Sequence, residues 1–337
     1  MKVGLVYDLR SEYLAEGHQE ESVAEFDSES TITALAEAIR ANGYDVERIG
    51  RGRTLARRLA DGERWDLVFT IAEGLDGRSR EAHVPALLEM YGVPHTFSDP
   101  LVCAVTLDKA VAKRLVMSQG LRTPGFCLVR DETDLDGVRL EYPLFVKPVA
   151  EGTGKGINGR SRVESRDALD DTVLPLLDQH RQPMLVEEYL PGREFTTGIL
   201  GSGRVAWVLG TMEIHILADA PARDYTFDVK EQCESCVSYT PLEHGALRNE
   251  IESLALDAYR VLECRDAGRV DIRLDRDGHP AFMEVNPLPG LHPTHSDLPM
   301  IATQEGMTYN ELIGAIIGSA MSRVSLQKRR FAAGVPS

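Results

Sequence analysis

Two spacings of hydrophobic positions divide the chain. Residues 1–98 carry short apolar runs separated by stretches of helical period. Lys2–Tyr7, Tyr44–Ile49 and Asp66–Ile71 read as strands; Ile32–Ala41 and Glu81–Tyr91 read as helices, stopped by Asn42-Gly43 and by Gly92 with Pro94. Asp66–Ile71 is nearly continuously apolar, as strands covered on both faces are. Strands alternating with helices predict βαβ units and a parallel open sheet, with ligands at the carboxyl ends of its strands. Those ends are the loops after Tyr7 and at Ala72-Glu73-Gly74.

Beyond Ser98-Asp99-Pro100 the order changes. The spacing predicts a helix over Thr106–Gln119, with Thr106 as its N-cap and Gly120 as its stop. Strands follow at Pro143–Pro148, at Pro183–Gly192 running into a Pro-Gly turn, at Glu194–Gly201 and over 204–217. Leu217–Tyr239 has weak periodicity and clustered charge, a long loop of the kind that lies over binding sites. Helices are expected at Glu243–Leu262 and Thr308–Ser322. Between them Val270–Leu274 and Ala281–Val285 alternate about Asp275-Arg276-Asp277-Gly278, a strong hairpin signal.

The 337 residues, 43% hydrophobic and 27% charged, suffice for two or three soluble domains. A net charge of −16 argues against nucleic acid or an anionic membrane as partner, and it requires any bound phosphate to be held by a local cluster of cations. No apolar run approaches the roughly 18 residues of a membrane span, and MKVGLVYDLR reads as a strand, not a secretory signal. Five scattered cysteines fit reduced thiols in the cytoplasm; Cys233-Glu-Ser-Cys236 has no second pair at zinc-finger spacing.

The hairpin concentrates the chemistry. Period two puts Asp271 and Arg273 on one face of the first strand and Glu284 and Asn286 on one face of the second. If the faces coincide, two carboxylates and an amide oxygen converge, hard ligands suited to Mg²⁺ carrying nucleotide phosphates. A solvated hairpin is the alternative. Lys109 and Lys113 share a helix face, opposite either an anion or water. Val149–Gly156 holds three glycines in five positions, which leaves either a flexible turn or backbone N–H groups close to a phosphate.

Taken in order, Thr-Leu-Asp-Lys109, Phe-Val-Lys147-Pro, Glu151-Gly152-Thr153-Gly154-Lys155-Gly156, Glu187-Glu188-Tyr189-Leu190, Glu194-Phe-Thr, Lys230, Arg269-Val-Asp271 and Glu284-Val-Asn286-Pro-Leu-Pro-Gly290 resemble the ATP-grasp carboxylate–amine ligases, in their D-alanine–D-alanine ligase branch. The likeness runs from Lys2 to about Arg323. It implies a three-domain ATP-grasp fold: α/β, with α+β character in the ATP-grasp part and an N-terminal parallel open sheet. The units are 1–98, 99–186, and 187–323 with a mobile loop at 217–239, followed by a flexible tail at 324–337. It implies a cytoplasmic ligase that joins a carboxylate, such as an amino acid, to an amine through an acyl phosphate, releasing ADP and phosphate. ATP and two Mg²⁺ ions, or Mn²⁺ in their place, would serve it; its partners would be small molecules, and a homodimer is compatible with the likeness.

The residue roles follow from the same resemblance. Lys109 and Lys147 would be the nucleotide-phosphate and adenine-proximal lysines, under a cover formed by the 151–156 loop. Glu187 would accept the adenine amino group, the Glu188–Leu190 backbone would read the ring, and Glu194 would take the ribose hydroxyls. Asp271, Glu284 and Asn286 would hold metal. Arg269 and the Gly290 N–H would stabilise an oxyanion, and the mobile loop would deliver Tyr225 and Lys230. Thr153 and Ser296 would face substrate.

Departures fall on the amino-acid side. Ala72-Glu73 stands where the family has His-Gly, Leu75-Asp76-Gly77 alters the acidic-Gly element after it, and Glu231 replaces a tyrosine after the loop lysine. Glu25 and Glu29 compete for the residue that holds the first ammonium. Ligation is expected to persist with D-alanine a poor substrate, and an extra amino or guanidinium group is expected in the true one, unless Glu73 merely caps the following helix. One rival reading is a nucleotide-binding regulatory or scaffold protein without ligase activity, which should have lost the metal carboxylates retained here. Another is attachment of an amino acid to a carrier.

Overall fold

The computed structural model of the chain describes residues 1–216 and 237–332, with side chains through Ser325. Tyr225, Lys230, Glu231, Cys233 and Cys236, and nearly all of the expected loop, lie outside the described residues.

Strands β1 (Lys2–Val6), β2 (Asp45–Gly50) and β3 (Leu67–Thr70) form a parallel sheet in the order β2-β1-β3. Helices α1 (Arg10–Ala15), α2 (Glu29–Ala41), α3 (Gly52–Ala60) and α4 (His83–Met90) accompany it. All four residues of β3 are buried, as the unbroken apolar run requires. Ile32, Leu35 and Ile39 of α2 pack in one core with Leu5 and Phe69, while Leu55, Leu59 and Leu88 pack with Val6 and Val68 in another. Ser28 starts α2 by accepting the Thr31 N–H at 3.2 Å.

The single helix expected over Thr106–Gln119 is two, α5 (Pro100–Leu107) and α6 (Lys109–Ser118). The cap is Asp108, not Thr106: its carboxylate accepts the Val111 N–H at 3.0 Å. The Thr106 hydroxyl instead donates to the Val102 carbonyl one turn back, at 2.7 Å, so Thr106 stays inside the preceding helix. Strands β4 (Phe126–Val129), β5 (Leu144–Pro148), β6 (Arg162–Val163) and β7 (Met184–Glu188), with α7 (Glu132–Leu135) and α8 (Arg166–His180), build an antiparallel sheet ordered β4-β7-β5-β6. It has its own core around Val146, Leu169 and Val173.

A five-stranded antiparallel sheet follows, made of β8 (Glu194–Leu200), β9 (Trp207–Ile216), β10 (Val237–Pro241), β11 (Ala267–Leu274) and β12 (Pro280–Asn286) in the order β10-β9-β8-β11-β12. Helices α9 (Ala246–Val261), α10 (Asp297–Gln304) and α11 (Tyr309–Ala332) accompany it. Val102 of α5 and Ala112 and Val116 of α6 belong to this sheet's core, while Leu107 of α5 and Ala110 of α6 pack with Leu185 of β7, so the two helices lie between the second and third sheets.

The tail expected to be flexible from residue 324 continues as helix to Ala332. No glycine or proline interrupts it before Gly334 and Pro336. Leu312, Ile313, Ile316 and Ile317 of α11 share one core with Leu5, Ile32 and Leu35. Arg323 fastens that junction. Its Nε donates to Asp266 at 2.9 Å and its Nη2 to the His95 carbonyl at 3.0 Å. The wholly buried Asp266 also accepts the Phe97 N–H at 2.9 Å and the Ser319 hydroxyl at 2.8 Å.

Candidate active site

The β11–β12 register pairs Asp271 with Glu284 and Arg269 with Asn286, so the two polar faces coincide. Carboxylates directly opposite one another repel, and each has its own counter-charge. Asp271 accepts from Arg269 at 2.9 and 3.0 Å, from the Thr196 hydroxyl at 2.7 Å and from the Asn286 amide at 3.1 Å. Lys109 Nζ lies 3.2 Å from Glu284. A second contact from Arg269, at 2.9 Å, reaches Asp297. Among the described residues no three Asp, Glu, His or Cys side chains gather closely enough to hold a metal by themselves. Two carboxylates and an amide supply hard oxygen donors only, and Lys109 and Arg269 now provide the positive charge that a divalent cation would provide. That donor set fits Mg²⁺ sharing its coordination with phosphates and water.

Two cavities meet here. One, of about 70 Å³, is walled by Phe145, Lys147, Ile157, Glu194, Ile214 and Met283. The other, of about 240 Å³, is lined by Glu25, Glu73, Glu81, Thr153, Gly290 and Ser296 among others. Lys109, Glu151, Gly152, Arg269, Glu284 and Asp297 belong to both.

The lysines of α6 are not solvated. Lys109 is 8% exposed and Lys113 0%. Lys109 Nζ donates to the Glu151 carbonyl. Glu187 sits between Lys113 at 3.0 Å and Lys147 at 2.7 Å. Burial lowers Lys113 to about 8 against the pull of Glu187. Burial also raises Glu187, but the two lysines outweigh it and hold the carboxyl below its ordinary range. Of these three, Lys147 lines the smaller cavity. The Glu188 carboxylate accepts the Gly125 N–H at 3.1 Å, Leu190 is buried, and the Tyr189 ring has guanidiniums of Arg162 and Arg273 at 4.5 and 5.2 Å. Those side chains are engaged elsewhere, the Glu188 and Tyr189 N–H groups donate to the Gly125 and Pro143 carbonyls at 2.9 and 3.0 Å, and none of residues 187–190 lines either cavity.

Glu25, not Glu29, faces the larger cavity. Glu29 is exposed on α2 and pairs with Arg48 at 2.5 Å. Glu25 accepts from Arg80 at 3.0 and 2.9 Å, from Lys155 at 2.8 Å and from the Gly152 N–H at 2.8 Å. A Cβ at Gly152 would stand 2.4 Å from the Glu25 oxygen, so the loop approaches this closely only with glycine there. Although burial favours the protonated form, Arg80 and Lys155 bring the Glu25 carboxyl down to about 2.

Glu73 lines the same cavity and does not act as a cap: the next helical turn, Arg80–Ala82, follows Ser79 and has no side-chain cap. Beside Glu73 is Glu81, buried, with its Oε2 lacking any hydrogen-bond partner. Burial, with Glu81 and Glu25 nearby, raises Glu73 well above the carboxylate range. Burial lifts Glu81 to about 7 despite Arg80. Ser296 precedes α10 and accepts the His292 N–H at 2.9 Å. A Cβ at Gly290 would meet the Ser296 hydroxyl at 2.7 Å.

Arg80, Glu81 and Asp297 are functional-site residues that the sequence does not mark, and Lys155 is marked only as part of the glycine-rich loop. Arg80 and Glu81 lie in a short polar turn without period, and Asp297 looks like an ordinary first-turn acid. Only Lys155, within the glycine-rich motif, carries a signal.

A parallel sheet set beside two antiparallel sheets, with a lysine-walled cavity opening onto an acidic one, defines an ATP-dependent ligase of the ATP-grasp fold. Residues 115–318 match the family model described as D-ala D-ala ligase C-terminus. The chain is 36% identical to the protein y4sG of Sinorhizobium fredii over 262 residues, 76% of this chain and 75% of that one. It is 33% identical to the D-alanine–D-alanine ligase of Bordetella petrii over 334 residues, 96% and 93% of the two chains. Its fold matches that of the D-alanine–D-alanine ligase from Bacillus anthracis complexed with ATP, with a TM-score of 0.73 and 24% identity over 97% and 99% of the chains. The chain belongs to the D-alanine–D-alanine ligase family, and it is an enzyme that forms an amide bond at the expense of ATP. Among the described residues no helix is long and apolar enough to cross a membrane.

Proposed function

We propose that the enzyme phosphorylates the carboxylate of an amino acid with ATP and passes the acyl phosphate to an amine, releasing ADP and phosphate. A free carboxylate is a poor electrophile, and phosphorylation supplies it with a leaving group. The observation that carries this reading is the wall common to the two cavities: Lys109, Arg269 and Glu284 touch both the lysine-walled space and the acidic one. A phosphoryl group crossing there would meet positive charge from either side, which is where positioning and electrostatics act in phosphoryl transfer.

On this reading Lys109 and the Glu151–Gly154 loop hold the phosphates, and Lys147 lies next to the adenine beside Glu187. Glu187 and the 188–190 backbone receive adenine, and Glu194 the ribose. Asp271, Glu284 and Asn286 would hold Mg²⁺, which would neutralise charge on the phosphates. Arg269 and the Gly290 N–H face the oxyanion formed when the amine attacks, and Thr153 and Ser296 face the substrates. The units 1–98, 99–186 and 187–323 divide the work, and the enzyme acts on small molecules in the cytoplasm. The Bordetella petrii and Bacillus anthracis relatives are D-alanine–D-alanine ligases; here the Glu73 carboxylate on the cavity wall makes D-alanine with D-alanine a poor pair.

The test is ADP release over a panel of amino-acid pairs of both chiralities. Amino-acid-dependent release, abolished in a folded Glu284→Gln variant, is expected. No dependence on any amino acid, or full activity in Glu284→Gln, would remove the reading.

A further inference from the structure

The acids of the larger cavity are not equivalent. Glu25 is matched by Arg80 and Lys155, and Glu284 by Lys109. Asp297 is matched by Arg269. Glu73 and Glu81 have no ion pair or hydrogen bond to their side chains among the described residues, and the buried Oε2 of Glu81 is an acceptor with nothing to accept. Leaving a buried acceptor unmatched destabilises the protein, and more so when it is charged. The one cation adjacent in sequence, Arg80, spends its guanidinium on Glu25 and the Ala150 carbonyl, at 2.8 Å for the latter. The cost at Glu81 is therefore not recovered within the described part of the protein. It can be recovered by a ligand that carries positive charge.

Position narrows what that ligand is. Both carboxylates line the same cavity as Lys109, Arg269 and Gly290, so their partner is part of a reacting substrate and not of a separate effector. A volume of about 240 Å³ is roughly eight water volumes, room for a small amino acid beside the phosphoryl site.

We infer that Glu81, with Glu73, is the specificity-determining pair of this enzyme, and that it receives a second cationic group on the amino-acid substrate: the side-chain ammonium or guanidinium of a basic amino acid. The inference rests on the ligase reading and adds the substrate class to it. A neutral side chain leaves the Glu81 acceptor buried and unmatched when the cavity closes on it. A site built around a polar partner rejects the analogue lacking that partner far more strongly than an apolar pocket rejects a missing methylene.

The experiment measures kcat/KM for ADP release with D- and L-alanine and serine against D- and L-ornithine, lysine, 2,4-diaminobutyrate and arginine, for the wild type and for Glu81→Gln and Glu73→Gln. Melting curves confirm that the variants are folded. The wild type should prefer at least one basic amino acid over the neutral ones by roughly 100-fold or more. Glu81→Gln should collapse that ratio, chiefly through the KM of the basic substrate. If Glu81→Gln does not fold, the Glu73→Gln ratio decides in its place. A wild type that turns over neutral amino acids as well as or better than basic ones overturns the inference and leaves the ligase reading intact. A variant that slows both classes equally, with the ratio unchanged, assigns Glu81 a structural role and also overturns it. Failure of every amino acid to raise ADP release fells the ligase reading itself.

Discussion

Replacing Glu81 by glutamine should stabilise the ligand-free enzyme by an amount that grows with pH. Burial raises the Glu81 carboxyl from an ordinary 4.5 to about 7, with Arg80 and Lys109 opposing the rise and Glu25 assisting it. A carboxyl whose folded pKa is raised lends the fold stability that is fully present below the unfolded value and is lost as pH climbs through the folded one. At 1.36 kcal/mol per pKa unit, the loss relative to a non-titrating residue is about 1 kcal/mol at pH 5 and about 3 kcal/mol at pH 8. Constant costs of the substitution, such as an imperfectly bonded amide, cancel when the same pair of proteins is compared across pH. For a chain of this size, 1 kcal/mol moves Tm by roughly 2 °C, so the Tm of Glu81→Gln minus that of the wild type should rise by about 5 °C between pH 5 and pH 8. Glu73, also raised, is present in both proteins, so its own titration cancels in the difference. Thermal melting of both proteins at pH 5, 6, 7 and 8 without ligand makes the measurement. A Tm difference that stays flat across that range would refute the reasoning.

Other consequences are simpler to test. ATP with Mg²⁺ should raise Tm, by mass action worth about 2.7 kcal/mol at a hundred times Kd, and GTP should not match it if the 187–194 segment selects adenosine; equal shifts would discard that assignment. Gly152→Ala puts a Cβ 2.4 Å from the Glu25 oxygen, so it should displace the glycine-rich loop and raise the KM for ATP several-fold; unchanged kinetics would show that the loop is not held there. Asp266→Ala removes the acceptor for Arg323, Ser319 and the Phe97 N–H at once, and should cost about 3 kcal/mol or more in thermal or urea unfolding. Asp108→Ala should cost about 1 kcal/mol as a lost N-cap while Thr106→Ala costs less, an order that reverses if Thr106 is the cap.

What the sequence made legible is what a period or a motif encodes. The hairpin, its coinciding faces and the lysines at 109 and 147 could be read because alternation and helical spacing fix which side chains share a face. The helix break at Asp108 could not, because Thr106 and Asp108 both have capping chemistry and only backbone geometry chooses between them. The competition between Glu25 and Glu29 was open for a similar reason: both precede or begin one helix, and the decision belongs to Arg80, Lys155 and Gly152, which come from elsewhere in the chain. Glu81 was invisible as a cavity residue, since a buried carboxylate without a partner leaves no pattern in the sequence. The extension of α11 was missed because a basic, aperiodic stretch looks frayed until Arg323 is seen to find Asp266.

The core that joins both ends of the chain has a consequence for how the protein is made. Leu5, Ile32, Leu35 and Ile39 are synthesised well before Leu312, Ile313, Ile316 and Ile317, which share their core. At about 5–20 residues per second, the N-terminal sheet waits on the order of tens of seconds with that face uncovered. The N-terminal sheet is thus completed only after the two antiparallel sheets that follow it have been synthesised. A nascent chain stalled before α11 presents an apolar surface to whatever binds unfinished proteins, and degradation or chaperone capture should concentrate in that interval.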